Sequence, residues 1–376
     1  FSRAKGCKVW DLEGRFYVDV ALMGVGTNIL GYGHPDVDQA VRRVVEAGNM
    51  TTLNCPEEVY LAEKLVELHP WADMVRLART GGEANTIAIR IARAATGREQ
   101  VAVCGYHGWH DWYIANTDLN SGIPDFNKHL AHSFAYNDLD SLEQIFRDYA
   151  EQVAIVIMEP LTVLEPKNNF LHEVKKMTRH YGALLMFDEI ITGFRWSPGG
   201  WQATIGVTPD LCSLAKILGG GLPIGAICGS AEVMEVLQAR ANDPYWNRFR
   251  KVPHHGSYNA NAVSSVAGNA VLNMASTGGP QRTAESLAVK LVQGMNYESE
   301  RRGVGVIASQ RSSMFHLATN SFAEEFNRHM LLNGVHIHGG VIGWVSSVHT
   351  DQDICQTIEA FAVSLEGLIR EGVALN

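Results

Sequence analysis

Short apolar segments that alternate with longer segments of helical period constrain the fold of this chain more than any other feature. Apolar, β-branched runs are the strand candidates, at residues 101–104, 153–158, 183–187, 211–214 and 224–228. Segments with apolar residues at helical spacing are the helix candidates, at residues 83–95, 139–149, 171–181 and 260–274. This order predicts an α/β fold in which helices cover a mostly parallel sheet.

The two ends of the chain predict a second, smaller domain. Residues 9–18 have the pattern of a β-hairpin with Glu13 and Gly14 in the turn, and the chain finishes in a helix candidate at 351–368. Gly278, Gly279 and Pro280 form a turn signal between these ends and the sheet-forming part. We therefore expect a small α+β domain from residues 1–49 and 279–376, and a large domain from residues 50–278.

Composition limits the classes of function. With 46% hydrophobic residues in a chain of 376, a large core can be buried, and a net charge of -9 argues against nucleic acid as a partner. The six scattered cysteines indicate reduced thiols, no zinc site and a cytoplasmic protein. No apolar stretch reaches the length of a bilayer-spanning helix, so we expect no membrane partner. Because the chain begins at Phe1, we expect a further segment to precede it.

Asp188 follows one of the apolar strand candidates and is a candidate ligand-binding carboxylate. The carboxyl ends of strands in an open α/β sheet face the ligand crevice, so Asp188 is well placed to meet a ligand. A buried carboxylate needs hydrogen-bond donors or a cation, and the protonated ring nitrogen of a ligand would serve. The alternative is an aspartate that only caps the next helix.

Lys216 also follows an apolar strand candidate, and three glycines, Gly219, Gly220 and Gly221, come soon after it. Glycines let the backbone approach a bulky group closely. A lysine in this apolar setting loses solvation, and its amine becomes a usable nucleophile toward an aldehyde. The alternative is a glycine-rich loop that binds a nucleotide without covalent chemistry, although its order is not that of a P-loop.

Two further segments predict binding surfaces. Thr80, Gly81 and Gly82 open an amphipathic helix, whose free N–H groups favour an anion such as phosphate, although an ordinary helix cap is the simpler interpretation. Tyr106 lies just past a strand candidate, where its ring can stack on a flat heterocycle. His107, His110 and Asp111 nearby could suggest a metal, but one loop would supply all three ligands. We therefore expect no metal site.

Together these segments resemble the class III, fold-type I aminotransferases that use pyridoxal 5′-phosphate (PLP), and within them the glutamate-1-semialdehyde 2,1-aminomutase-like branch. The resemblance runs from residues 30–35 to residues 346–350, and its most specific stretches are residues 187–190, 192–195, 215–217 and 219–225. It implies a large PLP-binding domain, a small domain from both chain ends, and a homodimer with its active site at the interface.

The resemblance also implies a role for each matching residue. Lys216 would hold PLP as a Schiff base and shuttle the substrate proton, while Asp188 would pair with the pyridinium nitrogen. Thr80, Gly81 and Gly82 would hold the phosphate. Tyr106 and Ile190 would contact the two faces of the ring. Glu159 would support Asp188, and Ser257 would reach the partner's phosphate across the dimer.

The implied reaction moves an amino group between a donor and a carbonyl acceptor. Met23–Gly26, Gly82 and residues 260–262 depart from the aminomutase pattern on the expected substrate side, which favours an aminotransferase with another acceptor. Similarity to branch members associated with carbohydrate biosynthesis makes a sugar-derived acceptor a hypothesis. Glutamate-1-semialdehyde 2,1-aminomutase, an isomerase, stays the first alternative, and a nucleotide-binding α/β protein without covalent chemistry is the alternative of another class.

Overall fold

The computed structural model describes residues 1–162, 164–319 and 321–375. Its strands are β1 Arg3–Lys5, β2 Lys8–Trp10, β3 Phe16–Asp19, β4 Met74–Ala78, β5 Gln100–Cys104, β6 Ala131–Ser133, β7 Val153–Met158, β8 Leu184–Asp188, β9 Leu211–Leu214, β10 Gly225–Gly229, β11 Ala308–Arg311, β12 Met314–Leu317, β13 Val335–His336 and β14 Ile342–Trp344. Its α-helices are α1 Met23–Gly26, α2 Pro35–Ala47, α3 Pro56–Leu68, α4 Gly81–Thr96, α5 Asp111–Ile114, α6 Leu139–Asp148, α7 Phe170–Tyr181, α8 Gly200–Ile205, α9 Ala231–Met234, α10 Pro244–Phe249, α11 Ala262–Ala275, α12 Gly279–Glu300, α13 Ala323–Leu332 and α14 Asp351–Arg370.

The largest sheet has seven strands in the order β4-β10-β9-β8-β7-β5-β6. Neighbouring strands from β9 to β6 run parallel, whereas β10 is antiparallel to both β4 and β9. The predicted α/β fold with a mostly parallel sheet is therefore confirmed. Because β4 runs in the same direction as β9, the carboxyl ends of six strands lie at one edge of this sheet.

Helices cover both faces of the sheet, which explains why its central strands are apolar throughout. All six residues of β7 are buried. Ile155 and Ile157 belong to the cluster that includes the buried face of α4, and Val156 and Met158 to the cluster that includes α6 and α7. A strand buried on both faces needs apolar side chains at successive positions, which is the run that the sequence shows.

Helix α4 shows how local sequence sets the boundaries of an element that carries site residues. Thr80 is its N-cap and accepts a hydrogen bond from the Glu83 N–H, while Gly97 ends the helix in the left-handed region at φ 69°. These are the residue types favoured at the two ends. The apolar face of this helix is buried as far as Ala92, whereas Ala95 in its last turn is exposed.

The described chain packs as two compact units. One consists of Phe1–Arg43, Phe194–Pro198 and Ala270–Asn376, and the other of Val44–Gly193 and Gly199–Asn269. The larger one contains the seven-stranded sheet. The expected division into residues 1–49, 50–278 and 279–376 stays a prediction, because compact packing does not by itself say where one folding domain ends.

The smaller unit contains a four-stranded sheet, β1-β2-β3-β13, and a three-stranded antiparallel sheet, β11-β12-β14. The expected hairpin is present as β2 and β3, and the Asp11 carboxylate accepts the Glu13 and Arg15 N–H groups across its turn. The expected last helix is α14, which Thr350 and Asp353 begin with a capping box. In the part of the chain that the structure describes, none of the helices combines the length and the hydropathy of a bilayer-spanning segment.

Candidate active site

The candidate residues in the larger unit come from several strands that end at the same edge of the sheet. Asp188 is the last residue of β8, and Glu159 follows the last residue of β7. Tyr106 is two residues past β5, and Lys216 is two residues past β9. Since parallel strands direct their carboxyl ends to one side, these chain positions, distant in sequence, lie at one edge.

Asp188 is the most completely anchored member of this group, and its side chain is only 4% exposed. Its Oδ2 atom lies 2.8 Å from Asn85 Nδ2 and 2.8 Å from His107 Nδ1. Its Oδ1 atom accepts the Ile190 N–H at 3.1 Å. Because a carboxylate only accepts hydrogen bonds, His107 presents an Nδ1–H to it, and the ring orientation is fixed.

The sequence pattern does not identify Asn85, and it suggests His107 only as a metal ligand. His107 is 1% exposed and binds Asp188, whereas the His110 ring nitrogen Nδ1 lies 2.9 Å from the Thr86 hydroxyl. The described residues contain no group of three or more His, Cys, Asp or Glu side chains that could hold a metal ion. A polar residue on the apolar face of α4 was the signal that could have identified Asn85.

Lys216 has a strained backbone. Its φ is 48°, in the left-handed region that an L-residue with a side chain seldom adopts, and it opens a short 3-10 helix, Lys216–Gly219. Gly220 and Gly221, with φ of 56° and 95°, occupy the same region without steric cost. Strain of this kind persists where surrounding packing enforces it, and it concentrates at functional sites.

Glu159 connects the groups at the strand ends electrostatically. Its Oε2 atom accepts the Tyr106 N–H at 2.9 Å. Burial, and then the negative charge of Asp188, raise the pKa of Glu159, while the charges of His107 and Lys216 act in the opposite direction. Glu159 is therefore within electrostatic reach of both Asp188 and Lys216.

The start of α4 forms a tight cradle of backbone. A Cβ atom on Gly81 would lie 2.6 Å from Ile190 Cδ1, and one on Gly82 would lie 3.3 Å from the His110 ring. Side chains at these positions would collide with Ile190 or crowd His110, so glycine fits both positions best. The Thr80 oxygen accepts the Glu83 N–H at 3.2 Å, and its hydroxyl hydrogen can still donate to an anion.

Two expected contact residues differ in their surroundings. The Tyr106 ring is 64% exposed and meets the Tyr113 ring edge-on at 6.0 Å between centroids, so its face is open to a flat ligand. Ser257 lies on an exposed turn in which Asn259 N–H binds the Gly256 carbonyl. Among the described residues, no hydrogen bond joins Ser257 to Asp188, Glu159 or Tyr106.

Comparisons with known proteins agree with one another. The family model for class-III aminotransferases matches residues 1–364 of the chain. A glutamate-1-semialdehyde 2,1-aminomutase of Syntrophobacter fumaroxidans is 34% identical, with 95% of this chain and 88% of the relative covered.

Solved structures show the same similarity. An omega-transaminase from Sphaerobacter thermophilus has a TM-score of 0.87 and 28% identity, covering 97% of this chain and 90% of that one. The PLP internal aldimine form of the FumI protein of Sphingopyxis sp. MTA144 has a TM-score of 0.90 and 25% identity, covering 100% and 90%. These matches confirm the fold-type I architecture expected from the sequence.

Proposed function

The chain belongs to the class-III aminotransferases, which are PLP-dependent enzymes, and from this we propose a role for each residue of its candidate site. It moves an amino group between an amino donor and a carbonyl acceptor. The alternative of a nucleotide-binding protein without covalent chemistry is wrong, because the family model covers nearly the whole chain.

The described residues fit PLP. Asp188 Oδ1 accepts the Ile190 N–H at 3.1 Å and has a second lone pair for a protonated ring nitrogen. A Cβ on Gly81 would collide with Ile190 and one on Gly82 would crowd His110, and both residues lie at a helix start, where N–H groups favour a phosphate. His107 Nε2 is buried and has no hydrogen-bond partner in the described chain, which is a further polar atom beside Asp188 that a ligand can satisfy.

PLP supplies a carbonyl that condenses with amines and a ring that withdraws electrons from them. In our proposal Lys216 binds the cofactor through its amine, and the same amine then moves the proton of the donor's Cα atom. Asp188 holds the proton of the ring nitrogen in place, since a buried carboxylate stabilises a neighbouring cation. The strained backbone of Lys216 supports this role by fixing the direction from which its side chain enters.

The other candidates orient the cofactor. Thr80, Gly81 and Gly82 bind its phosphate, and the open face of Tyr106 packs on one side of the ring. Ile190, which already contacts the start of α4 at Gly81, packs on the other side. Glu159 acts through Tyr106, whose backbone it holds, and through its negative field near Asp188.

The observation that carries this proposal is the position of Asp188. It is buried and hydrogen-bonded at the end of β8, and the neighbouring strand β9 leads to Lys216. An absorbance spectrum tests it: purified protein with PLP should show a visible band that borohydride abolishes by fixing the cofactor covalently. Lys216→Ala should lack the borohydride-fixed label. Lys176→Ala, which changes a lysine 73% exposed on α7, is the matched control and should label like the wild type. Labelling of the Lys216→Ala protein would refute the assignment.

We propose that the acceptor is a second molecule, and that it is sugar-derived. The departures at Met23–Gly26 and Gly82 support this, since they affect the expected substrate side while Lys216 and Asp188 are kept. The Syntrophobacter relative favours the aminomutase as the second candidate. Protein loaded with pyridoxamine phosphate should regain the visible band with sugar ketones or aldehydes. Recovery with glutamate semialdehyde alone would establish the aminomutase instead.

We also propose a cytoplasmic homodimer in which Ser257 reaches the phosphate of the partner subunit. The exposed position of Ser257 supports this. Lys216→Ala and Ser257→Asp chains should each have little activity alone. Randomly mixed dimers should regain activity at about a quarter of their sites, because half are hybrids with one intact site each. No recovery on mixing would contradict the shared site.

A further inference from the structure

Asn85 is an unusual residue for its place in the fold. It lies in the second turn of α4, between the buried residues Ala84 and Ala88, and its side chain is 0% exposed. The rest of this helix face is apolar and packs against the sheet. A fully buried amide in such a place is retained only where its hydrogen bonds are satisfied or useful.

The amide joins three separate elements of the larger unit. Its Nδ2 atom donates to Asp188 Oδ2 at 2.8 Å and to the His107 carbonyl at 3.2 Å. Because both partners only accept hydrogen bonds, the nitrogen must face them, and the orientation of the amide is chemically determined. Asn85 thus connects α4, the loop after β5 and the end of β8.

The oxygen of the Asn85 amide is not satisfied in the same way. Asn85 Oδ1 is buried and has no hydrogen-bond partner in the described chain. An orphaned acceptor is unfavourable, and an apolar side chain at this position would avoid it. The benefit of Asn85 must therefore come from the two bonds of Nδ2, one of which goes to the carboxylate proposed to meet the cofactor.

We propose that Asn85 is a positioning residue that fixes the rotation of the Asp188 carboxylate for the cofactor ring. The inference rests on the proposed function, since it concerns how Asp188 meets PLP. The terminal torsion of an aspartate is broad, so each further hydrogen bond narrows the rotation of the carboxylate. With Asn85 and His107 both on Oδ2, and the Ile190 N–H on Oδ1, the plane of the carboxylate is set before the cofactor binds.

A merely structural Asn85 predicts a different outcome, because its loss would lower stability without changing the cofactor. The test therefore measures the dissociation constant of PLP and the pH midpoint of the visible band of the holoenzyme. The control variant is Asn269→Leu, which removes another bridging amide of the larger unit, bonded to the Glu57 carbonyl at 2.9 Å. Urea unfolding of each apoprotein measures the structural part of the effect.

We expect Asn85→Leu to weaken PLP binding at least tenfold. It should lower kcat, with a smaller change in the KM for the donor. The pH midpoint of the visible band should rise. A ring nitrogen that holds its positive charge less firmly repels the proton on the lysine-bound nitrogen less, so that proton is kept to higher pH. Asn85→Asp should weaken binding further, since a second carboxylate would face Asp188. Asn269→Leu should leave the dissociation constant and the midpoint unchanged.

If Asn85→Leu does not fold, Asn85→Ser gives the same test, because its shorter hydroxyl cannot reach both acceptors. Wild-type affinity and midpoint in a folded Asn85 variant would overturn the inference while the proposed function stands. A wild-type protein with neither a visible band nor amino-transfer activity would overturn the proposed function, and the inference with it.

Discussion

Replacing Gly225 with alanine should distort the phosphate cradle at Thr80, Gly81 and Gly82. Gly225 begins β10 and pairs with Ala78 at the end of β4. A Cβ atom there would lie 2.4 Å from the Thr80 carbonyl oxygen and 3.3 Å from Ala84 Cβ, whereas real contacts stay above 3.0 Å. The backbone at the start of α4 must therefore move by about 0.6 Å, the difference between these distances. Overpacking of this kind costs about 1–3 kcal/mol of stability.

The displacement should also weaken the cofactor site, because binding groups need to be held within about 0.5 Å of their productive positions. We expect the dissociation constant of PLP to rise about tenfold, which corresponds to about 1.4 kcal/mol. Titration of the apoprotein with PLP measures this, and urea unfolding measures stability.

The matched control is Gly279→Ala, whose Cβ would meet only the Thr277 hydroxyl, at 3.2 Å. It should leave cofactor affinity unchanged. Wild-type affinity in a folded Gly225→Ala protein would show that the cradle is not where the phosphate binds.

Two further predictions concern buried titratable groups. Glu189→Gln should destabilise the protein by about 1–3 kcal/mol in urea unfolding. The Glu189 carboxylate accepts three hydrogen bonds, from the Thr192 hydroxyl and from the Trp201 and Gln202 N–H groups. In glutamine, the amide nitrogen would face one of these donors and could not accept its hydrogen bond. Glu173→Gln, at a carboxylate 39% exposed on α7, should have little effect, and equal destabilisation by both would contradict the argument. Burial lowers the pKa of His349, so the unfolded chain takes up a proton more readily and stability falls as pH drops through 6.5. His349→Gln should flatten this dependence in unfolding curves between about pH 7 and 5, and an unchanged slope would refute it.

The sequence predicts the central strands well and the edge strands poorly, for a physical reason. Strands buried on both faces, such as β7, must be apolar at successive positions and are visible as runs. The two edge strands of the large sheet, β4 and β6, are only partly buried, and β4 contains Arg76, which hydrogen-bonds to His254. Their side chains carry a mixed pattern that no single periodicity identifies.

Helices α2 and α3 were not identified for a related reason. Both have only a narrow buried face and many charged residues, and α3 buries only Leu61 and Leu65. Their start signals are proline at Pro35 and Pro56, which is favoured in the first turn of a helix. A proline alone is equally common in turns, so the signal becomes specific only once the sheet is known.

For the site, the sequence identifies groups at strand ends but not the contacts between them. Lys216 and Asp188 are recognisable because each follows an apolar run. The partners of Asp188 lie 103 residues away, at Asn85, and 81 residues away, at His107. Hydrogen bonds over such separations depend on the arrangement of α4 and β5 against β8, which a pattern along one chain does not encode.

The register of the sheet is what brings these separate positions into one candidate site. Asp188 is paired with Ser213 of β9, so Lys216 lies three residues beyond the partner of Asp188. Phe187 is paired with Met158, so Glu159 lies level with Asp188 on the next strand. A slip of one residue between β8 and its neighbours would turn Asp188 to the opposite face, away from Asn85 and His107. Such a slip would break the three hydrogen bonds that Asp188 accepts from Asn85, His107 and the Ile190 N–H, and a buried carboxylate without donors is costly. The hydrogen bonds of Asp188 to α4 and to the loop after β5 therefore also help to hold it in place relative to Lys216.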